Sequence, residues 1–225
     1  MMPRPTSKIN LGVIVAMAAI AWSCLGAFEV KELPPPRKTG PLSLEEALSR
    51  RRSLRSYRKE PLKLQELSQL LWAAQGITDP RGFRTAPSAG ALYPLEVYVA
   101  VGEVKGLKPG LYRYHPSGHL LEEMAEGDKR RLLAEAALGQ PWVREAPVVF
   151  CIAAVYQRTT KKYGRRGIRY VQMEAGHAAQ NLCLQAVALG LGGVTVGAFD
   201  DQQVKEILGL PSDHHPLYLI PVGRP

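Results

Sequence analysis

The chain has 225 residues, 46% of them hydrophobic, so it can bury a sizeable core and is expected to form one main domain. Its formal charge of +9 is concentrated in two clusters, at residues 50–59 and 158–169. Nothing resembling a helix-turn-helix, a zinc finger or an aromatic stacking surface accompanies these clusters, so we expect no nucleic-acid partner. The three cysteines show neither disulfide nor metal-ligand spacing, and we predict no metal site.

The N-terminus resembles an export signal. Arg4 and Lys8 precede an apolar run over residues 9–21, and small residues lead up to Cys24. We interpret residues 1–27 as a signal peptide or an uncleaved membrane anchor, with lipidation at Cys24 as a further alternative. An exported or membrane-associated location, in the periplasm or cell envelope, is therefore expected. Residues 28–42, with three consecutive prolines, are interpreted as a Pro-rich linker.

The folded domain is predicted over residues 43–225. Ser43 and Glu46 form a capping-box pattern, and Leu44, Ala47 and Leu48 follow on one helical face. Periodicity and stop signals predict further helices at 63–75, 128–138, 170–189 and 201–208, and strands at 96–101, 111–115, 119–124, 147–155, 194–196 and 217–222. Because helices and strands are mixed without strict alternation, the pattern favours an α+β fold.

Two segments are poorly suited to a core. Residues 84–94 form a small-residue loop whose backbone a flat ligand can approach closely. Residues 51–55 combine arginines with a serine, and guanidinium groups offer forked donors to a phosphate. Together they predict a pocket for a planar, phosphorylated cofactor. The alternatives are an ordinary turn and an exposed helix end.

The order of several motifs resembles the nitroreductase-like flavoprotein superfamily, and most closely the SagB-type azoline dehydrogenases that form thiazoles and oxazoles. The resemblance covers residues 43–225. It is carried by Arg51, Ser53 and Arg55; by residues 87–94; by residues 162–164, 169–170, 174–177 and 180–181; and by residues 197–200 and 221–225.

The resemblance implies a nitroreductase-like fold, in which helices wrap a central antiparallel sheet, and an obligate homodimer with flavin mononucleotide (FMN) at two interface sites. It also implies contacts to FMN from several residues of this chain. Arg51, Arg52, Ser53 and Arg55 would hold the phosphate and ribityl chain. The flavin ring would lie against Pro87, Ser88, Ala89 and Gly90 of the other subunit. Further contacts would come from Gln140 at the pyrimidine edge, from the backbone of Gly197 and Ala198 near N5, and from Arg224 at the phosphate.

By the same resemblance, Lys162 and Tyr163 would remove a substrate proton as hydride leaves for the flavin; a flexible basic loop is the alternative. NAD(P)H would be a transient electron donor. Glu174 and His177 lie one helical turn apart, for which helix packing is the simpler interpretation. His214 and His215 are expected to be exposed to solvent.

The sequence therefore predicts an FMN-dependent oxidoreductase acting on a small organic or peptide-derived substrate. Two other interpretations remain open at this point. One is a flavin-binding protein, displayed at a membrane, that interacts with a partner without turnover. The other is a basic surface module that binds an acidic polymer, with a strong dependence on salt.

Overall fold

The computed structural model describes residues 29–225. The expected signal or anchor and Cys24 lie outside these residues. Within residues 29–225, no helix is both long enough and apolar enough to cross a bilayer.

Seven strands form one sheet in the order β1-β6-β5-β3-β7-β9-β8, and each neighbouring pair is antiparallel. The strands are β1 (Val30–Glu32), β3 (Leu95–Val101), β5 (Gly110–His115), β6 (Leu120–Glu126), β7 (Val148–Ala154), β8 (Gly192–Gly193) and β9 (His215–Gly223). Two short strands, β2 (Leu62–Lys63) and β4 (Val104–Lys105), pair separately in parallel. The predicted central antiparallel sheet is confirmed.

Helices cover both faces of the sheet because its central strands are apolar on both sides. In β3, Val97 and Val99 face one core, and Tyr98 and Ala100 face the other. The helices are α1 (Leu44–Arg50), α2 (Leu64–Gln75), α3 (Arg130–Ala136), α4 (Pro141–Glu145), α5 (Tyr156–Tyr163), α6 (Arg166–Ala188) and α7 (Asp201–Ile207). The first core receives α2 and α6, and the second receives α3, α4 and α7.

The long helix α6 begins four residues before the expected start at Tyr170. Arg166 and Arg169 in its first turn are exposed and basic, so the start of the helix has no apolar periodicity in the sequence. At the start of the helix, Gly167 packs against the backbone of α5, where a Cβ would lie 3.0 Å from the Cα of Thr160. Lys162 and Tyr163 are the last two residues of α5. A flexible basic loop had been the alternative interpretation of this pair.

The expected linker is largely part of the domain. Val30–Glu32 pairs with β6, and Leu33 is buried. Ser68 Oγ donates a hydrogen bond to the Pro34 carbonyl at 2.5 Å. A free spacer over residues 28–42 is therefore wrong for residues 30–34, because this strand gains its stability from a partner almost 90 residues away in the chain.

Two smaller expectations also differ. Residues 194–196 form only an isolated bridge, from Val196 to Leu219, while the short strand lies at Gly192–Gly193. His214 is buried, with its Nδ1 2.7 Å from the Tyr98 hydroxyl, so its expected exposure is wrong. The hydrogen-bond partner explains how a polar ring is accommodated in the core.

Candidate active site

The loop at residues 84–94 is held in a strained backbone conformation. Gly90, Ala91 and Tyr93 all have positive φ angles, of 65°, 54° and 45°. Alanine and tyrosine adopt this region at a cost of about 1–3 kcal/mol, which suggests that the loop conformation serves a function. It is fixed by hydrogen bonds from the Tyr93 amide to Ser88 Oγ at 2.9 Å and from the Ala91 amide to the Ser88 carbonyl at 3.0 Å.

Lys162 and Tyr163 lie directly against this loop. A Cβ atom built on Gly90 would lie 2.8 Å from the Tyr163 hydroxyl and 3.0 Å from Lys162 Nζ. Only a glycine leaves both polar atoms this close to the backbone. The structure thus brings together three of the residues singled out in the sequence, although their roles in FMN binding and proton transfer remain predictions.

Glu174 of α6 lies beside the same loop and is 3% exposed. Burial raises the pKa of its carboxyl to about 7, opposed by a hydrogen bond with Ser88 and by the charge of Arg84. Its Oε1 atom has no hydrogen-bond partner among the described residues. His177 is exposed, so the two residues do not face one pocket. The spacing of residues in the sequence did not single out Glu174, because its carboxyl becomes buried only through tertiary packing.

We expect Glu174→Gln to raise the melting temperature at pH 8 by about 5 °C or more and to leave it nearly unchanged at pH 4. The folded carboxyl has a pKa above its ordinary value of 4.5, so the folded state keeps a proton that the unfolded state loses between pH 4.5 and 7. Stability therefore falls as pH rises through this window, and glutamine removes that loss. Calorimetry across the pH range measures it; an effect equal at both pH values would contradict the assignment.

The basic segment is anchored to the far edge of the sheet. The Leu54 amide donates to the Gly193 carbonyl at 3.1 Å, and Ser53 forms a parallel bridge with the same residue. Gly192 permits this approach, because a Cβ there would lie 2.9 Å from Leu54 Cδ2. The backbone of the arginine-rich segment is thereby fixed while its long side chains project outward.

Within residues 29–225, the side chains of Arg51, Arg52 and Arg55 form no ion pair with a carboxylate. The Arg55 guanidinium lies 5.5 Å from the centre of the Trp142 ring. The buried Trp142 Nε1 also has no acceptor among the described residues. Arg52 Nη1 donates to the carbonyls of Ser49 and Arg51, at 2.9 and 2.8 Å. This corner of the site therefore offers positive charge that no carboxylate balances among the described residues, and the free N–H donor of Trp142, as an anionic ligand requires.

Gln140 lies next to the second glycine-containing segment. Its Nε2 donates to the Ala137 carbonyl at 2.8 Å and to the Ala198 carbonyl at 3.0 Å. Gly197 and Ala198 are exposed, so their backbone is accessible. The structure therefore brings Gln140 and Ala198 together, as the resemblance implies, and leaves their contact with a flavin as a prediction.

Arg224 is occupied by carboxylates. Its Nη2 lies 2.9 Å from Glu66 Oε1, and its Nε lies 2.9 Å from Glu60 Oε1. These pairs neutralise the guanidinium, which makes a phosphate contact less favourable than the resemblance implied. No local pattern indicates this pairing, because Glu66 and Arg224 are 158 residues apart.

The residues fit a planar, phosphorylated cofactor such as FMN. Unpaired guanidinium groups suit its phosphate, and the accessible backbone at Ser88–Gly90 and Gly197–Ala198 suits the close approach of a flat ring. Many of these atoms are exposed, including those of Pro87, Gly90 and Ser53. The described His, Cys, Asp and Glu side chains, by contrast, form no group of three or more suited to a metal ion.

The family model that describes the Nitroreductase family matches residues 48–224. A protein of Methanocaldococcus jannaschii provisionally named as a nitroreductase is 52% identical over 183 residues, which cover 81% of this chain and 91% of that protein. The microcin B17-processing protein McbC of Escherichia coli is 29% identical, covering 68% of this chain and 58% of its own length. The FMN reductase [NAD(P)H] of Bacillus subtilis is 27% identical, covering 80% and 64%.

The family match covers more than half of the chain, and the chain shares the fold of solved nitroreductase structures. McbC, a processing protein, is among its relatives, which agrees with the resemblance found in the sequence. The chain is a flavin-dependent oxidoreductase that belongs to the nitroreductase family.

Proposed function

We propose that this protein is an FMN-dependent oxidoreductase that transfers hydride between flavin N5 and a small organic or peptide-derived substrate. The observation that carries the proposal is the contact of Lys162 and Tyr163 with the strained loop at Gly90. Proton-transfer groups are thereby held beside the backbone against which the flavin ring would lie. FMN, when bound, supplies hydride acceptance and donation; the protein supplies orientation and proton transfer.

Each part of the cofactor has a set of residues to hold it in this proposal. Arg51, Arg52, Ser53 and Arg55 bind the phosphate and ribityl chain, and the Pro87, Ser88, Ala89 and Gly90 loop of the second subunit covers the ring. Gln140 and the Gly197–Ala198 backbone face the pyrimidine edge and N5. N–H donors and cations near N1 and O2 favour the reduced form, which carries negative charge there.

Lys162 and Tyr163 are proposed to take up the proton that a substrate loses as hydride leaves it. The two groups lie together, with Lys162 Nζ 5.4 Å from the centre of the Tyr163 ring. The relative McbC, a microcin B17-processing protein, supports assignment to the SagB type. The relative named as an FMN reductase supports NAD(P)H as a transient electron donor.

We also propose that the protein acts as a homodimer, because the ring-binding loop and the phosphate-binding segment are both open to solvent in one chain. Leu44 and Leu48, which the sequence pattern placed on one face of α1, are 61% and 51% exposed. An exposed apolar face of this kind is typical of an interface.

Replacing Leu44 and Leu48 together by aspartate should halve the mass measured by light scattering and lower flavin occupancy. Four aspartate charges, two from each subunit, would have to be desolvated in the dimer, which disfavours association. Leu132→Asp, at an exposed position on α3, is the matched control and should leave the mass unchanged. A wild-type monomer that retains its flavin would refute the dimer.

We propose the location of the protein from its sequence alone: it is exported, or attached to a membrane, through residues 1–27. Reduced nicotinamides are cytoplasmic metabolites, so an exported form would pass electrons from an organic substrate to oxygen or a quinone. Cell fractionation tests the location. Rapid NAD(P)H oxidation by a cytoplasmic protein would contradict this electron path.

The absorbance spectrum of the purified protein tests the central proposal. We expect the absorbance bands of oxidised flavin. The cofactor released from the protein should be FMN. A screen of electron donors and acceptors, followed by bleaching of the bound flavin, then identifies the substrate class. A colourless protein that added FMN cannot reconstitute would overturn the assignment.

A further inference from the structure

A polar cavity of about 270 Å³ lies beside the candidate active site. It is bounded by the end of α2, by β3 and β5, and by α5. Its chemical character comes from five side chains: Gln75, Arg84, Glu96, Arg113 and Arg158. None of these residues has a role in the proposed FMN site.

The charges that line this cavity do not balance. Arg113 and Arg158 both pair with one carboxylate, Glu96. The side-chain bond of Arg84 goes to a neutral group, with its Nη1 donating to Gln75 Oε1 at 2.7 Å. The lining therefore carries three guanidinium groups and one carboxylate, Glu96, which pairs with Arg113 and Arg158.

The other nearby ionisable groups do not remove this excess of positive charge. His115 also lines the cavity, but it pairs with Glu122 at 2.7 Å. Glu174 interacts with Arg84, yet burial raises its carboxyl pKa to about 7, so at neutral pH it carries only part of a charge. Burial of Arg84 disfavours its charged form, and an anion would relieve that cost.

A buried donor without a partner lies at the same place. Gln75 is 1% exposed, and its Nε2 has no acceptor among the described residues. Buried amide groups in folded proteins are almost always hydrogen-bonded, so an unsatisfied one calls for an explanation. The cavity thus combines excess positive charge with an unused N–H donor, and both call for an oxyanion.

We propose that this cavity binds a small molecule through a carboxylate group. Arg84 presents a planar fork that matches a carboxylate, and Gln75 Nε2 would donate a further hydrogen bond. The cavity is slightly smaller than those that hold drug-sized ligands, so it suits a compact acid or the terminal residue of a peptide.

The cavity is connected to the loop of the candidate active site. Arg158 belongs to α5, the helix that ends with Lys162 and Tyr163, and its Nη1 donates to the Tyr93 carbonyl at 3.1 Å. The Arg84 guanidinium lies 4.6 Å from the centre of the Tyr93 ring. A carboxylate held here would anchor a molecule next to the loop without touching the groups proposed to transfer protons.

Calorimetric titration of the full chain tests this inference. The probes are malonate, inorganic phosphate, and one tetrapeptide with a free or an amidated C-terminus, all at constant ionic strength. We expect saturable binding of malonate or of the free-acid peptide. Binding of malonate would indicate that the carboxylate belongs to a small acid, and binding of the free-acid peptide that it belongs to a peptide terminus. The amidated peptide should not bind. Phosphate binding that is tighter than that of both acids, and that Arg84→Gln weakens, would overturn the carboxylate assignment; phosphate binding that Arg84→Gln leaves unchanged is assigned to the segment at residues 51–55.

Two variants locate the binding. Arg84→Gln should weaken it roughly tenfold or more, because a charge-assisted bond is lost. Arg81→Gln is the matched control, since Arg81 lies three residues away, is exposed and pairs with Asp79. Calorimetry measures the heat of binding and requires no turnover, so the outcome of this test does not depend on whether FMN is the cofactor.

Gln75→Glu provides a second test that does not depend on the folding of Arg84→Gln. It places a carboxylate beside Arg84 and so supplies the missing anion from within the chain. We expect a higher melting temperature without ligand, and loss of binding. The inference is overturned by a lower melting temperature with wild-type binding, or by the absence of saturable binding of any probe to the wild type.

Discussion

Replacing Arg51 and Arg55 together by alanine is expected to weaken FMN binding at least about a hundredfold, so that the purified protein loses most of its yellow colour. Each guanidinium would contribute charge-assisted hydrogen bonds to the phosphate, and each such bond is worth about 1.5–3 kcal/mol. Neither side chain has a carboxylate partner within residues 29–225, so their removal leaves no buried charge behind.

The matched control is Arg50→Ala. Arg50 ends α1 next to the same segment, but its guanidinium pairs with Glu46 across one helical turn. The control should lose little stability and no flavin, since such exposed pairs contribute less than about 1 kcal/mol. Flavin occupancy measured from absorbance, together with titration of the apoprotein, separates the two variants. Equal flavin loss in both would show that the effect is general to this surface.

The sequence predicted the parts of the fold that depend on local pattern. Alternation in residues 96–101 marked β3, and the strands predicted at 111–115 and 119–124 correspond to the antiparallel neighbours β5 and β6. Ser43 was recognised as a helix cap, and its Oγ does accept a hydrogen bond from the Glu46 amide. Such signals arise within a few residues, so they are readable without the tertiary structure.

The features that the sequence did not reveal depend on contacts between distant residues. Val30–Glu32 becomes a strand only because β6 offers it an edge, and Arg224 is neutralised by glutamates far away in the chain. Glu174 has an ordinary helical spacing, and only its burial against the loop distinguishes it. The motif at residues 84–94 predicted where the site lies, but the neighbouring carboxyl and the charge imbalance around Arg84 required the three-dimensional arrangement.

Replacing Lys162 by methionine together with Tyr163 by phenylalanine should lower the rate of substrate oxidation by about 10²–10⁴-fold while FMN remains bound. The two changes remove the amine and the hydroxyl but keep most of the side-chain volume, so the packing around Gly90 is preserved. Stopped-flow bleaching of the bound flavin by substrate measures the step directly.

The design separates proton transfer from the other properties of the site. Lys161→Met is the matched control: Lys161 precedes Lys162 in the last turn of α5, is exposed, and lies outside the contacts of Gly90. Its bleaching rate should equal that of the wild type. Reduction by NAD(P)H requires no proton removal from carbon, so the double variant should retain it. An equal loss of both reactions would assign Lys162 and Tyr163 to the shape of the site, whereas a selective loss would establish them as the groups that accept the proton.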